Sequence, residues 1–200
     1  MAQQGFVVFR LDNRGSGRRE RQFTDTLYGN LGKHEVEDQV AGIDWLAKQS
    51  FVDPKRIGVF GWSYGGFMTL RLLAAASDKI AMGVSVAPVT DWALYDTHYT
   101  ERYVGGTPKS VPQAYEQSGV FAHLDGMKSK LLLIHGMADD NVLFTNTTRL
   151  IDDLVKRNVQ FELMTYPGAK HGISGRTSQR HVFGMIESFF KKQLGGTEAK

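Results

Sequence analysis

Residues 56–66 read Arg56-Ile57-Gly58-Val59-Phe60-Gly61-Trp62-Ser63-Tyr64-Gly65-Gly66. An apolar strand, Arg56 to Phe60, runs into G-x-S-x-G, and a helix of small and apolar residues follows to about Ala76. The pattern itself is short. Its setting between strand and helix is the one a nucleophile elbow requires. Such a turn strains the serine backbone and lifts the hydroxyl above the sheet. Strand and helix then pass so close that flanking residues must be small, a need Gly61, Gly65 and Gly66 would meet. Free N–H groups at the helix N-terminus point to the same spot. Ser63 is thus the candidate nucleophile and the Tyr64 N–H a candidate oxyanion donor. The competing explanation is a glycine-rich turn with an incidental serine, and the partners decide between them.

Outward from the elbow, strands and helices alternate. Phe6–Leu11 reads as a buried strand followed by a Gly-rich loop, Asp12 to Gly17. Residues 34–49 read as an amphipathic helix with Val36, Val40, Ile43 and Ala47 on one stripe and Leu46 beside it. Further strands are expected at Ile80–Ala87, Lys130–His135 and Gln160–Tyr166. Residues 88–129 are irregular and aromatic-rich, with short helices. Thr145–Arg157 is a helix, and a last helix after about Gly175 is expected to bury Val182, Phe183, Ile186, Phe189 and Phe190. The pattern implies an α/β fold, a parallel sheet with helices on both faces. Residues 1–194 form one domain, and 195–200 are expected to be a disordered tail.

The bulk properties narrow the function. The chain has 200 residues, 42% hydrophobic and 22% charged, with a net charge of +3, which suits one globular domain. Basic residues are scattered. The tightest cluster, Arg18, Arg19 and Arg21, reads as a solvated loop, so nucleic acid is not an expected partner. Cysteine is absent, which excludes disulfides and thiolate metal sites and leaves the redox compartment open. No stretch approaches the ~20 apolar residues of a membrane span. Met1 to Gly5 runs straight into the first strand and does not read as a signal peptide. No cofactor or metal is called for.

A serine hydroxyl needs a base, and the base an orienting acid. In this fold they follow in the order Ser, acid, His. The strand Lys130–His135 ends in His135-Gly136-Met137-Ala138-Asp139-Asp140-Asn141. Asp139 and Asp140 both sit past its C-terminal end, with Asp139 preferred. Of six histidines, His171 lies in the loop after the next strand, flanked by small residues, and is the candidate base. His135 reads as structural and His181 as a surface or packing residue. His34, His98 and His123 precede the acid and break the order. No pair of histidines has a convincing metal-ligand spacing.

Gly61-Trp62-Ser63-Tyr64-Gly65-Gly66, His135-Gly136-Met137-Ala138-Asp139-Asp140-Asn141-Val142 and His171-Gly172-Ile173 together resemble the prolyl oligopeptidase family, most of all its dipeptidyl peptidase IV branch. The resemblance covers nearly the whole chain, including Asp12-Asn13-Arg14-Gly15-Ser16-Gly17, Glu35-Val36-Glu37-Asp38-Gln39 and Thr100-Glu101-Arg102-Tyr103. It implies an α/β-hydrolase fold and favours Asp139 over Asp140. It implies a serine peptidase acting on peptide substrates through an acyl-enzyme on Ser63 and releasing N-terminal X-Pro or X-Ala dipeptides. It also implies a proline pocket lined by Tyr64, Val89, Trp92, Tyr95 and Tyr99, with Asn141 and Val142 at its edge. Flat aromatic walls suit a pyrrolidine ring, although aromatics also pack under long loops.

The same resemblance implies parts that these residues do not supply. They are a second oxyanion donor, a tyrosine on an earlier loop, and a β-propeller that would hold the substrate's amino terminus. It implies a sheet strand between Phe6–Leu11 and Ile57, so this reading makes the chain a C-terminal piece lacking the first strands of its domain, weakly active alone and prone to aggregate. A homodimer of the full-length enzyme and an extracytoplasmic or periplasmic location are family expectations, with the cytoplasm left open. Other readings are an acylaminoacyl or tripeptidyl peptidase of the same family, a carboxylesterase using the same elbow, and an inert binding homologue. The last would lack a triad member, and all three candidates are present.

Overall fold

Among the described residues, four segments form strands: β1 (Gly58–Trp62), β2 (Met82–Val86), β3 (Lys130–Gly136) and β4 (Glu162–Tyr166). They pair in chain order, all parallel, as one four-stranded sheet. The computed structural model describes residues 1–195. Of the tail expected over 195–200, all but Gly195 lies outside the described residues. Gly195 caps the last helix at φ 65°.

Among the described residues, seven α-helices accompany the sheet: α1 (Arg21–Asp25), α2 (His34–Leu46), α3 (Tyr64–Ala75), α4 (Thr97–Val104), α5 (Pro112–Ser118), α6 (Thr145–Lys156) and α7 (Arg176–Leu194). Strand alternation sorts the core into two faces. Leu131 and Leu133 of β3 join Phe67, Leu70 and Leu73 of α3, Ile43 of α2 and Leu150 and Leu154 of α6. Leu132 and Ile134, with Met82, Val84 and Val86 of β2, join Val182, Ile186, Phe189 and Phe190 of α7. The expected sheet covered on both faces is present. Among the described residues, no helix is long and apolar enough to cross a membrane.

Several expectations are corrected. Phe6–Leu11 is not a strand. Val7 and Val8 are 58% and 61% exposed, and Phe9 and Leu11 are also exposed. A strand needs a neighbour to take its N–H and C=O groups, and no ladder forms here. Side chains hold the segment instead. Phe6 meets Phe190 edge-on at 6.1 Å, Phe9 stacks on Trp45 at 5.8 Å, and Gln39 Nε2 donates to Leu11 O at 3.1 Å. Between this segment and β1 runs an open groove of about 1240 Å³, lined by Val59, Phe60, Met68 and Phe183 among others. Phe183, expected in the core, is therefore half exposed: its face of α7 looks toward the groove. The strand expected at Arg56–Phe60 lies two residues later, and α2 stops at Leu46 rather than at 49.

The Gly-rich loop is tied down by Arg14. Its backbone N–H and Nε donate to the Asp38 carboxylate on α2 at 2.8 and 3.0 Å, and Nη2 donates to Asp38 and to Glu37. Asp38 is held below the usual carboxylate range, first by these guanidinium bonds.

Candidate active site

β1 ends in Trp62, and α3 begins at Tyr64. Ser63 between them takes φ 61° and ψ −118°, a strained conformation for a residue with a side chain. Its N–H donates to Val86 O of β2 at 2.8 Å, and its carbonyl accepts from Phe67 at 3.0 Å. The turn is tight enough that a Cβ at Gly61 would fall 2.0 Å from Gly65 O, and one at Gly66 would fall 2.7 Å from Val86 O. Gly65 departs from the expectation: a Cβ there meets open space, because it faces the groove. The Tyr64 N–H opens the helix, where no intrahelical acceptor is available.

The loop after β3 brings Asp139 under the loop after β4. His171 Nδ1 lies 2.7 Å from Asp139 Oδ2. The Asp139 side chain is fully buried, while that of His171 keeps 23% of its surface exposed. Asp139 Oδ1 accepts the N–H groups of Asn141 and Val142 at 2.9 and 3.0 Å. Asp140 points outward and pairs with Lys170 at 2.5 Å, which lowers its pKa. The structure thus separates the two carboxylates. Ser63 and His171 share no direct hydrogen bond among the described residues. They are joined through Trp62, whose Nε1–H donates to His171 O at 2.9 Å. A direct bond between a serine and its base often forms only once substrate is bound.

The aromatic residues named for the pocket converge beside the elbow. Trp92 stacks on Tyr99 at 5.9 Å with 20° between planes, and meets Tyr64 at 5.7 Å and Tyr95 at 6.0 Å. Tyr95 and Tyr99 meet edge-on at 5.5 Å. Tyr95 O–H donates to Asn141 Oδ1 at 3.0 Å, which links the cluster to the Asp139 loop. Val89, Trp92 and Val142 are buried. Burial pushes the Tyr99 phenol up to about 12. The loop carrying these residues is pinned by Asn146, which accepts from Thr90 N and from Thr90 Oγ1, and by Trp92 Nε1–H donating to Ser118 O.

Two contributors escape sequence reasoning. Glu35 is buried in the first turn of α2, where an acidic residue reads as a partner of the helix dipole. It accepts the Gly32 N–H on both oxygens and the Tyr64 hydroxyl at 2.5 Å. Burial first, then the charge of Glu35, drives the Tyr64 pKa far above its usual value. Burial lowers Arg71 to about 10. The second is His135, expected to be structural, which also touches Asp139 at 3.1 Å. Nothing in its sequence spacing distinguishes it from a packing histidine. His181 bonds the Tyr166 hydroxyl, away from the elbow. No group of three His, Cys, Asp or Glu is placed to hold a metal among the described residues.

A parallel sheet with helices on both faces, carrying a strained serine between strand and helix, defines an α/β-hydrolase domain. Residues 1–197 match the prolyl oligopeptidase family, and the chain belongs to it. It is 46% identical over 190 residues to the dipeptidyl peptidase family member 1 of Caenorhabditis elegans, covering 93% of this chain and 23% of that protein. It is 39% identical to dipeptidyl peptidase 4 of Bos taurus, over 94% of this chain and 25% of that one. The crystal structure of Porphyromonas gingivalis dipeptidyl peptidase 4 superposes with a TM-score of 0.88 at 36% identity, over 92% of this chain and 26% of that one. The chain thus spans about a quarter of the length of these relatives.

Proposed function

We propose that this domain catalyses peptide-bond hydrolysis by a serine peptidase that releases N-terminal X-Pro or X-Ala dipeptides. The observation that carries the reading is the 2.7 Å bond from His171 to the buried Asp139, on a loop tied to the strained Ser63 turn through Trp62. Ser63 Oγ attacks the carbonyl carbon, and His171 Nε2 takes its proton. Asp139 holds the imidazole in the tautomer that leaves Nε2 free to accept, and stabilises the imidazolium. The Tyr64 N–H donates to the developing oxyanion. His171 then protonates the leaving amine, and the dipeptidyl ester on Ser63 is released by water. The Trp92, Tyr95 and Tyr99 rings supply flat apolar walls for a proline ring, with Tyr64, Val89, Asn141 and Val142 around them.

Two measurements test this. A fluorophosphonate probe should label Ser63, as read by peptide mass spectrometry, and Ser63→Ala should abolish labelling. A Gly-Pro anilide should be cleaved, by this chain or by a longer chain carrying it, faster than a Gly-Leu anilide. Labelling elsewhere sinks the nucleophile. No preference for proline sinks the pocket.

A further inference from the structure

We infer that His135 is a positioning residue for Asp139: it acts as a neutral donor that completes the hydrogen bonding of the carboxylate and restrains its pull on His171. The inference rests on the triad reading above. His135 ends its apolar strand with no surface exposed, its ring edge-on to Phe144 at 5.4 Å. Its Nε2 lies 2.9 Å from Val142 O and 3.1 Å from Asp139 Oδ2. A carbonyl oxygen can only accept, so Nε2 carries the proton. Nδ1 lies 2.7 Å from Thr147 Oγ1, a hydroxyl that can donate to it. Burial pushes the His135 pKa down and keeps the ring neutral.

Asp139 then has a donor on each available side. Asn141 and Val142 N–H groups reach Oδ1, and His171 and His135 reach Oδ2. A hydrogen bond to an ionised carboxylate spreads its charge and weakens its hold on a neighbouring cation. A neutral His135 therefore orients Asp139 and moderates its hold on His171. A positive charge in the same place would oppose the imidazolium outright. Other titratable groups near this pair are Asp140 and Lys170, ion-paired at the surface, and Tyr95, whose phenol lies close enough to feel the Asp139 charge.

The test needs no turnover. In the chain with ¹⁵N-labelled histidine, NMR near neutral pH should show His135 protonated on Nε2 alone, and a downfield proton on His171 Nδ1 from its bond to Asp139. His135→Phe keeps a ring against Phe144 and removes the donor, and should move that His171 proton resonance further downfield as Asp139 binds it more closely. His135→Gln keeps a donor for Asp139 and should restore the wild-type resonance. The inference is overturned if the His135 proton sits on Nδ1, if both its nitrogens are protonated, or if the Phe variant leaves the His171 proton resonance unchanged or moves it upfield. If that variant fails to fold, the wild-type tautomer and the Gln variant's resonance decide. An unreactive Ser63 would sink the peptidase reading and leave these readouts intact.

Discussion

Tyr64 donates its phenolic hydrogen to the buried carboxylate of Glu35 across 2.5 Å, so the residue after Ser63 is anchored to the first turn of α2. Glu35→Ala strands the Gly32 N–H and the Tyr64 O–H without an acceptor. The expected loss is about 1–3 kcal/mol for each group left unsatisfied, read by urea denaturation. In a double-mutant cycle with Tyr64→Phe, the two changes should cost less together than the sum of each alone. Strict additivity would mean the bond contributes nothing.

The same phenol gives a pH signature. Its folded pKa lies above its unfolded one, because burial and Glu35 disfavour the phenolate. Its stabilising contribution is fully present below the unfolded value of about 10 and is lost as the pH rises beyond it. Wild-type stability should fall above about pH 10, and Tyr64→Phe should flatten part of that fall. Equal slopes for both proteins would remove Tyr64 from the account.

Asp139 and Asp140 are neighbours in sequence and opposites in setting. Asp139→Asn should cut the activity toward a Gly-Pro anilide by roughly 10⁴-fold, as loss of the orienting acid does in triads. Asp140→Asn removes only an exposed ion pair with Lys170 and should stay within about twofold. Comparable losses in the two variants would overturn the assignment.

Trp92 is 1% exposed and touches Tyr64, Phe67, Tyr95 and Tyr99. Trp92→Ala should cost about 3–5 kcal/mol of stability. Tyr95→Phe keeps the ring and loses only the bond to Asn141. It should raise KM severalfold with little change in melting temperature.

The two outer glycines of the elbow motif should behave differently. Gly61→Ala places a methyl against Gly65 O with backbone on both sides, and should cost about 3 kcal/mol or more. Gly65→Ala projects into the groove and should be nearly silent in thermal melts of this chain. Equal penalties would mean that the groove closes in solution.

These contrasts also show what the sequence could reveal. The Ser63 turn and the loops that carry Asp139 and His171 were legible because each is punctuated by glycine at a strand end, a local signal. The strands β2, β3 and β4 were legible because apolar runs of five to seven residues stand between helices. Phe6–Leu11 has the same composition and forms no strand, because pairing depends on a partner rather than on the segment. Phe183 misled for a related reason: its helical spacing fits a core face, but the surface opposite it is open. Glu35 and His135 were hidden because their contacts with Tyr64 and Asp139 are ones that no periodicity encodes.

The bond between Trp62 and His171 joins residues 109 positions apart. Contacts that distant carry a large loop-closure cost and slow folding. The serine turn needs only β1, α3 and the neighbouring β2, while His171 comes from much further along the chain. On the proposed reading, Ser63 would leave the ribosome before the loop that carries His171, and would lack its base until that loop docks. A peptidase assembled in this order has a built-in delay, with its reactivity withheld from neighbouring nascent chains until the fold is nearly complete.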